Sequence, residues 1–183
     1  MKKRCTWPGD DPLYIKYHDE EWAVPVHDDT KLFEFLVLES AQAGLSWITI
    51  LRKREGYRKA FKQFNIKKVA KMHKGDVAEL MQNESIVRNR RKIEATIHNA
   101  KVCIAIQNEF DSFSNYIWSW VNGVTIRNCW NTEDDIPSKT ELSIIIANDL
   151  KDRGFQFFGP TICYAYMQAI GLVNDHLTSC CKH

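Results

Sequence analysis

Cysteine and histidine pair up at both ends of the chain, Cys5 with His18 near the start and His176 with Cys180 near the finish. If the four meet, everything between them is closed into a loop whose ends are stapled. Two thiolates and two imidazoles make the tetrahedral set that zinc takes, in preference to magnesium or calcium. Such a site is structural, because four protein ligands leave no open position at which to activate water. The expected cofactor is therefore one structural zinc per chain. The gap between the pairs is too wide for a self-contained finger. The His-x-x-x-Cys run at 176–180 predicts both side chains on one face of a final helical turn. On the other reading Cys5 is a terminal thiol, the histidines are surface or core residues, and Cys181 can stand in for Cys180. Spacing does not choose between them.

A chain of 183 residues makes one domain, 1–183, or a compact two-lobed unit with a real core. Its 44% apolar and 26% charged residues describe an ordinary globular protein. Met1-Lys2-Lys3-Arg4 opens like a signal peptide, but Cys5–Asp10 supplies no apolar segment after it. No apolar run reaches membrane-spanning length, so no membrane partner is expected. Six cysteines without framework spacing suit a reducing compartment, hence a cytoplasmic location, with Cys103, Cys129 and Cys163 as small buried hydrophobes. The net charge of +2 does not announce a nucleic-acid partner. Arg52-Lys53-Arg54, Lys67-Lys68 and Arg88/Arg90-Arg91-Lys92 are basic clusters that read as solvated helix faces, unless the fold gathers them on one side.

The periodicity is helical throughout. Helices are expected over Thr30–Glu39, from the Ser46 cap to near Gly56, over 77–81 behind an Asp76 cap, and along Ile93, Ile97, Ala100 and Ile104. Ser112 starts another that ends at Asn122-Gly123. A long polar connection, 122–138, precedes the last two helices, Thr140–Lys151 and Thr161–Leu172. Nothing alternates with period two, so the fold class is all-α. Between the last helices, Gly154 and Gly159 bracket an aromatic link and Pro160 opens the second helix. The segment of about 140–173 thus makes a helix–hairpin–helix, whose turn can hold a DNA phosphate without reading sequence. Trp7, Tyr14, Tyr17 and Trp22 crowd the start of the chain, and Glu39 lies between an apolar helix and Trp47. An aromatic box with one acid suits a flipped, cationic base. It is equally how core aromatics and a solvent-facing glutamate look.

Cys5-x-Trp7, Asp11-Pro12-Leu13-Tyr14-Ile15-x-Tyr17-His18-Asp19-x-Glu21-Trp22, Leu38-Glu39-x-x-Gln42-Ala43-Gly44-Leu45-Ser46-Trp47-Ile48, Arg153-Gly154-Phe155 and Gly171-Leu172-Val173-Asn174-Asp175-His176 resemble the 3-methyladenine DNA glycosylase I family, from residue 5 to Cys180. The resemblance implies a helix–hairpin–helix glycosylase fold with zinc at Cys5, His18, His176 and Cys180. It implies DNA repair by base excision, a hydrolase that cuts the N-glycosidic bond of 3-methyladenine in alkylated double-stranded DNA and yields free 3-methyladenine. Glu39 would bond the base, Trp7, Tyr14, Tyr17, Trp22 and Trp47 would line its pocket, and Gln42, Gly44 and Leu45 would probe the gap left by the flipped nucleotide. Ala23 departs from the family's usual glycine and puts a local turn in doubt.

Methylation at N3 makes adenine cationic, so its bond to the sugar is already weak and a strong general acid is not required. Asp175 sits beside His176 and reads as a residue supporting that ligand. No lysine occurs between Asp152 and Lys182, which argues against an amine nucleophile and for a monofunctional hydrolase; a monomer is expected. The rival class is a non-catalytic, zinc-stapled helical DNA-binding module, which an exposed Glu39 and dispersed aromatics would favour.

Overall fold

The computed structural model describes residues 3–183; Met1 and Lys2, half of the leader-like opening, lie outside them. Short polar side chains set most helix starts. Asp11 accepts from the Leu13 and Tyr14 amides and Pro12 takes the first helical position, which gives α1, Pro12–Glu20. Asp28 caps α2, Asp29–Gln42. Then follow α3 (Trp47–Ala60), α4 (Ile66–Val69), α5 (Lys74–Leu80), α6 (Arg90–Phe110), α7 (Phe113–Ser119), α8 (Glu141–Asp152) and α9 (Pro160–Ala169). Asn89, Ser112 and Thr140 cap α6, α7 and α8 through their side chains. The expected all-α class holds. The only strands among the described residues are two-residue pieces, β1 (Ile126–Arg127) and β2 (Val173–Asn174), paired in parallel.

Several expectations need correction. A further helix, not among those expected, carries Tyr14 and Tyr17 of the aromatic opening, because Asp11-Pro12 is a start signal, while Trp7 and Trp22 lie in turns on either side. The second expected helix does not stop near Gly56. Gly56 lies inside α3, where a Cβ would come within 2.4 Å of the Ser85 carbonyl oxygen, so its task is to let residue 85 pass. Asp76 is not a cap: His73 is, and Asp76 answers from the third helical position by accepting from the His73 amide. The final stretch 176–180 is not helical; Leu177 bridges to Trp130 beyond the β1–β2 pair. Cys129 is exposed, unlike Cys103 and Cys163. Arg54, assigned to a solvated face, is buried and pairs with Glu34 and Glu21, tying α3 to α2 and to the end of α1.

The core forms around α2, where Leu32, Phe33, Phe35, Leu36, Val37 and Leu38 are all buried. A helix apolar on every side has to sit in the middle, and α3, α6, α7 and α9 pack on it. Its last turn therefore carries Glu39 into the interior. No helix of the described residues is long and apolar enough to cross a membrane.

Ala23 occupies the left-handed region (φ 62°) and donates its amide to the Gln168 carbonyl at 2.9 Å. The departure from glycine is thus a strained one. Ala23→Gly is expected to stabilise the protein by about 1 kcal/mol, the strain relieved exceeding the unfolded-state entropy gained. Chemical denaturation checks it; a less stable variant would show that this backbone is not strained.

Candidate active site

α1, α2, α3, α9 and the 122–138 connection enclose a cavity of about 340 Å³. All five aromatics singled out from the sequence line it, Trp7, Tyr14, Tyr17, Trp22 and Trp47, and so do Glu39 and Gln42. Trp7 is the hub. Its ring lies edge-on to Tyr14 at 4.8 Å and to Trp22 at 5.1 Å, while Tyr17 stands 5.4 Å from Trp47. Glu39 and Gln42, three residues apart, share one face of α2. The sequence reading missed Glu133, Ile136, Ala165 and Gln168, which complete the wall. Glu133 Oε1 accepts from the Thr6 hydroxyl at 2.8 Å and the Trp7 amide at 3.1 Å, which fixes the entrance of the aromatic segment. No local pattern marks these four, since they reach the cavity only through tertiary packing.

Glu39 is 4% exposed, and no described residue hydrogen-bonds its carboxyl. Burial alone pushes its pKa up to about 8. Trp47 Nε1 is buried and unpaired as well. Buried polar groups are almost always satisfied, so an acid and a donor left open around one aromatic cavity point to a ligand. The carboxyl also raises the pKa of the neighbouring Tyr14 and Tyr17 hydroxyls, after the larger effect of their burial.

Beyond Gln42 the chain turns sharply, with Gly44 left-handed (φ 83°) and the Leu45 amide donating to the Gln42 carbonyl at 2.6 Å. Lys92 Nζ donates to the carbonyls of Ala41 at 2.9 Å and Ala43 at 2.7 Å, so the loop is clamped from α6. Leu45 projects from it, 42% exposed. This loop and the first turn of α9 face each other across a shallow hollow that shares Glu39, Gln42 and Ala165 with the main cavity. In the α8–α9 hairpin, Gly154 (φ 104°) closes α8, with the Phe155 amide reaching back to the Leu150 carbonyl. Gly159 is not needed for the turn; the left-handed residue there is Phe157 (φ 54°), half-exposed under the Arg91 guanidinium. A Cβ on Gly159 would meet nothing within 4 Å, which leaves the start of α9 bare.

At the back of the aromatic wall, one ligand atom from each of Cys5, His18 and Cys180 lies within 4.8 Å of the others, all three buried. The His176 ring stands 4.8 Å from His18 and 4.6 Å from Trp22. His18 Nδ1 pairs with Asp19 and His176 Nδ1 with Asn174, both at 2.8 Å, while His176 Nε2 is buried without a partner. Asp175 does not support His176. In extended chain, neighbours face opposite ways, so Asn174 holds the ring while Asp175 turns towards Asn128, Trp130, Tyr164 and Gln168. Cys181 is exposed, which leaves Cys180 as the inward thiol.

The sequence model of a family described as methyladenine glycosylase matches residues 7–183. The chain is 50% identical to a DNA-3-methyladenine glycosylase of Haemophilus influenzae, covering 100% of this chain and 99% of that one. The crystal structure of a 3-methyladenine DNA glycosylase I superposes with a TM-score of 0.96 at 50% identity, over 99% of this chain and 100% of the other. A structure of the Staphylococcus aureus 3-methyladenine DNA glycosylase I, solved for its 3-methyladenine recognition, gives 0.95 at 38% identity, over 98% and 95%.

Glu39 also has a thermodynamic signature. Its ordinary pKa of 4.5 rises to about 8 on folding, so the native state holds the proton more tightly. That contribution to stability is complete below pH 4.5 and is lost as pH rises through 8, a cost on the order of a few kcal/mol. Glu39→Gln is expected to match the parent near pH 4.5 and exceed it at pH 8.5 in urea denaturation. Parallel pH profiles for the two proteins would contradict the burial of an ionisable group there.

Proposed function

The chain belongs to the methyladenine glycosylase family, and on that premise we propose how its residues carry out the family's reaction, the excision of 3-methyladenine from DNA in base-excision repair. The observation that carries the reading is Glu39, unpaired and buried inside a box of five aromatics. The rival DNA-binding module requires it exposed and the aromatics dispersed. Stacking and cation–π attraction hold the flipped base between Trp47 and the Trp7–Tyr14 side of the cavity. In the free protein at neutral pH the Glu39 carboxyl is mostly neutral, because its pKa is about 8. A cationic base gives it a counter-charge, and the carboxyl gives its proton up to water as the base enters. Unmodified adenine brings no charge and gains nothing from the exchange.

The electrons of the bond between the sugar C1′ and the base flow into the ring, so the base departs neutral. Water adds at C1′ and gives up one proton, leaving an abasic, uncut strand. No lysine follows the hairpin before Lys182 to compete with water. The loop of Gln42, Gly44 and Leu45, with Leu45 exposed beside the cavity, suits a wedge that fills the vacated stack. The bare start of α9 beside Gly154–Gly159 suits a backbone phosphate of alkylated duplex DNA. On incubation with methylated DNA, Glu39→Gln is expected to fold yet release 3-methyladenine about 100-fold more slowly. Borohydride trapping of the same reaction is expected to give no protein–DNA adduct. Near-normal release by Glu39→Gln would remove the carboxyl from the site.

We also propose that Cys5, His18, His176 and Cys180 hold one zinc. What supports it is the gathering of three donors, Cys5, His18 and Cys180, with the His176 ring 4.8 Å from that of His18 and its Nε2 buried without a partner among the described residues. The metal would brace the aromatic wall from behind and take no part in the chemistry. Protein purified without chelators is expected to carry one zinc per chain, and Cys5→Ala to lose it with a fall in melting temperature of about 10 °C. Zinc-free protein of full stability would refute the staple.

A further inference from the structure

Charge separates a methylated base from a normal one, but it cannot separate one methylated purine from another. 3-Methyladenine and 3-methylguanine carry the same positive charge and the same methyl group. They differ at the 6-position, where adenine has an amino donor and guanine an oxygen acceptor, and guanine adds N–H groups at positions 1 and 2. Attached to the sugar, 3-methyladenine has no N–H except the two on its 6-amino group. Any acceptor that reads this base has only that group to address.

A residue of the cavity wall carries such an acceptor, and the sense of its amide is fixed. Gln168, on α9 one turn beyond Ala165, lines the wall. Its amide faces Asp175 Oδ2 at 2.8 Å. A carboxylate accepts and does not donate, so the atom facing it is the amide nitrogen and the carbonyl Oε1 is turned away. No described residue donates to that oxygen. Asp175 cannot move to relieve the constraint. It is fully buried and also accepts from Tyr164 Oη at 2.6 Å, Asn128 Nδ2 at 2.7 Å and Trp130 Nε1 at 2.8 Å. Turning the Gln168 amide over would set its carbonyl against this carboxylate.

We infer that Gln168 is a specificity-determining residue whose Oε1 accepts from the 6-amino group of the flipped base, and that Asp175 is a positioning residue that keeps the amide from turning over. The inference rests on the cavity being the base pocket. A 6-oxo group set against Oε1 repels it, so 3-methylguanine is disfavoured although its charge is right.

The test compares kcat/KM for release of 3-methyladenine and of 3-methylguanine from DNA containing each lesion. Gln168→Met keeps the bulk and removes the acceptor. It is expected to slow 3-methyladenine release about tenfold, the scale of one lost hydrogen bond, while 3-methylguanine release changes little, so the ratio collapses. Asp175→Asn is nearly isosteric and places an N–H where Oδ2 stood, which invites the Gln168 amide to turn over. There the ratio is expected to fall further, with 3-methylguanine release rising. Should that variant fail to fold, Gln168→Met decides alone. Equal losses on both lesions in Gln168→Met would mean a merely structural glutamine and overturn the inference. Wild-type protein that releases neither base would instead refute the pocket, a distinguishable failure.

Discussion

Cys180 Sγ lies 3.7 Å from His18 Nε2 although 162 residues separate them, and the position of the aromatic wall follows from that contact. Trp7 and Trp22 flank this cluster, Trp7 at 5.2 Å from the His18 ring and Trp22 at 4.6 Å from His176. Three further links lay the C-terminal segment along the start of the chain and the 122–138 connection: the β1–β2 pair, the Trp130–Leu177 bridge and the bond from the Cys181 amide to the Lys3 carbonyl. The base of the box is α2, which cannot move because it is the core. One wall of the cavity is thus built on the interior and another on the junction of the two termini.

How much of this was legible depends on the range of the interaction. Helix starts at Ser112 and Thr140 could be read because a cap is a contact over three residues. The Asp11-Pro12 start was equally local, and attention to periodicity alone passed over it. Gly56 looked like a stop because a glycine in a helix has a local meaning; its real partner, Ser85, is remote in the chain. The site followed the same division. Five aromatics and Glu39 were found through whole motifs resembling a family, where composition alone would have left them as core. Glu133, Ile136 and Gln168 belong to no such motif and are brought in by the return of α9 and the connection. The supporting role expected of Asp175 falls to Asn174, since one residue of register in extended chain decides which faces the histidine.

The protein keeps several unfavourable arrangements, and two of them border the cavity. Glu39 is a buried acid without a partner, and Ala23, next to Trp22, holds a left-handed backbone. Strain and desolvation of this kind persist only where the surrounding structure over-determines them. Here α2 is locked in the core and Ala23 is tied to α9 through the Gln168 carbonyl. With no described residue bonded to it, the Glu39 carboxyl is left for a group that enters the cavity.

The Arg54 pairing with Glu34 lies inside the molecule, where mobile ions do not reach it. The arginines and lysines that remain on the surface are open to them. Dissolved salt therefore acts on two parts of the protein's work very differently. The cavity, braced by a buried ion pair and apolar contacts, keeps its shape and its grip on a free base as ionic strength rises. Attachment to the polyanion weakens steeply over the same range, because it depends on counterions released from phosphates. Ionic strength is thus a dial that separates finding the DNA from recognising the lesion, two steps that a single rate constant would otherwise merge.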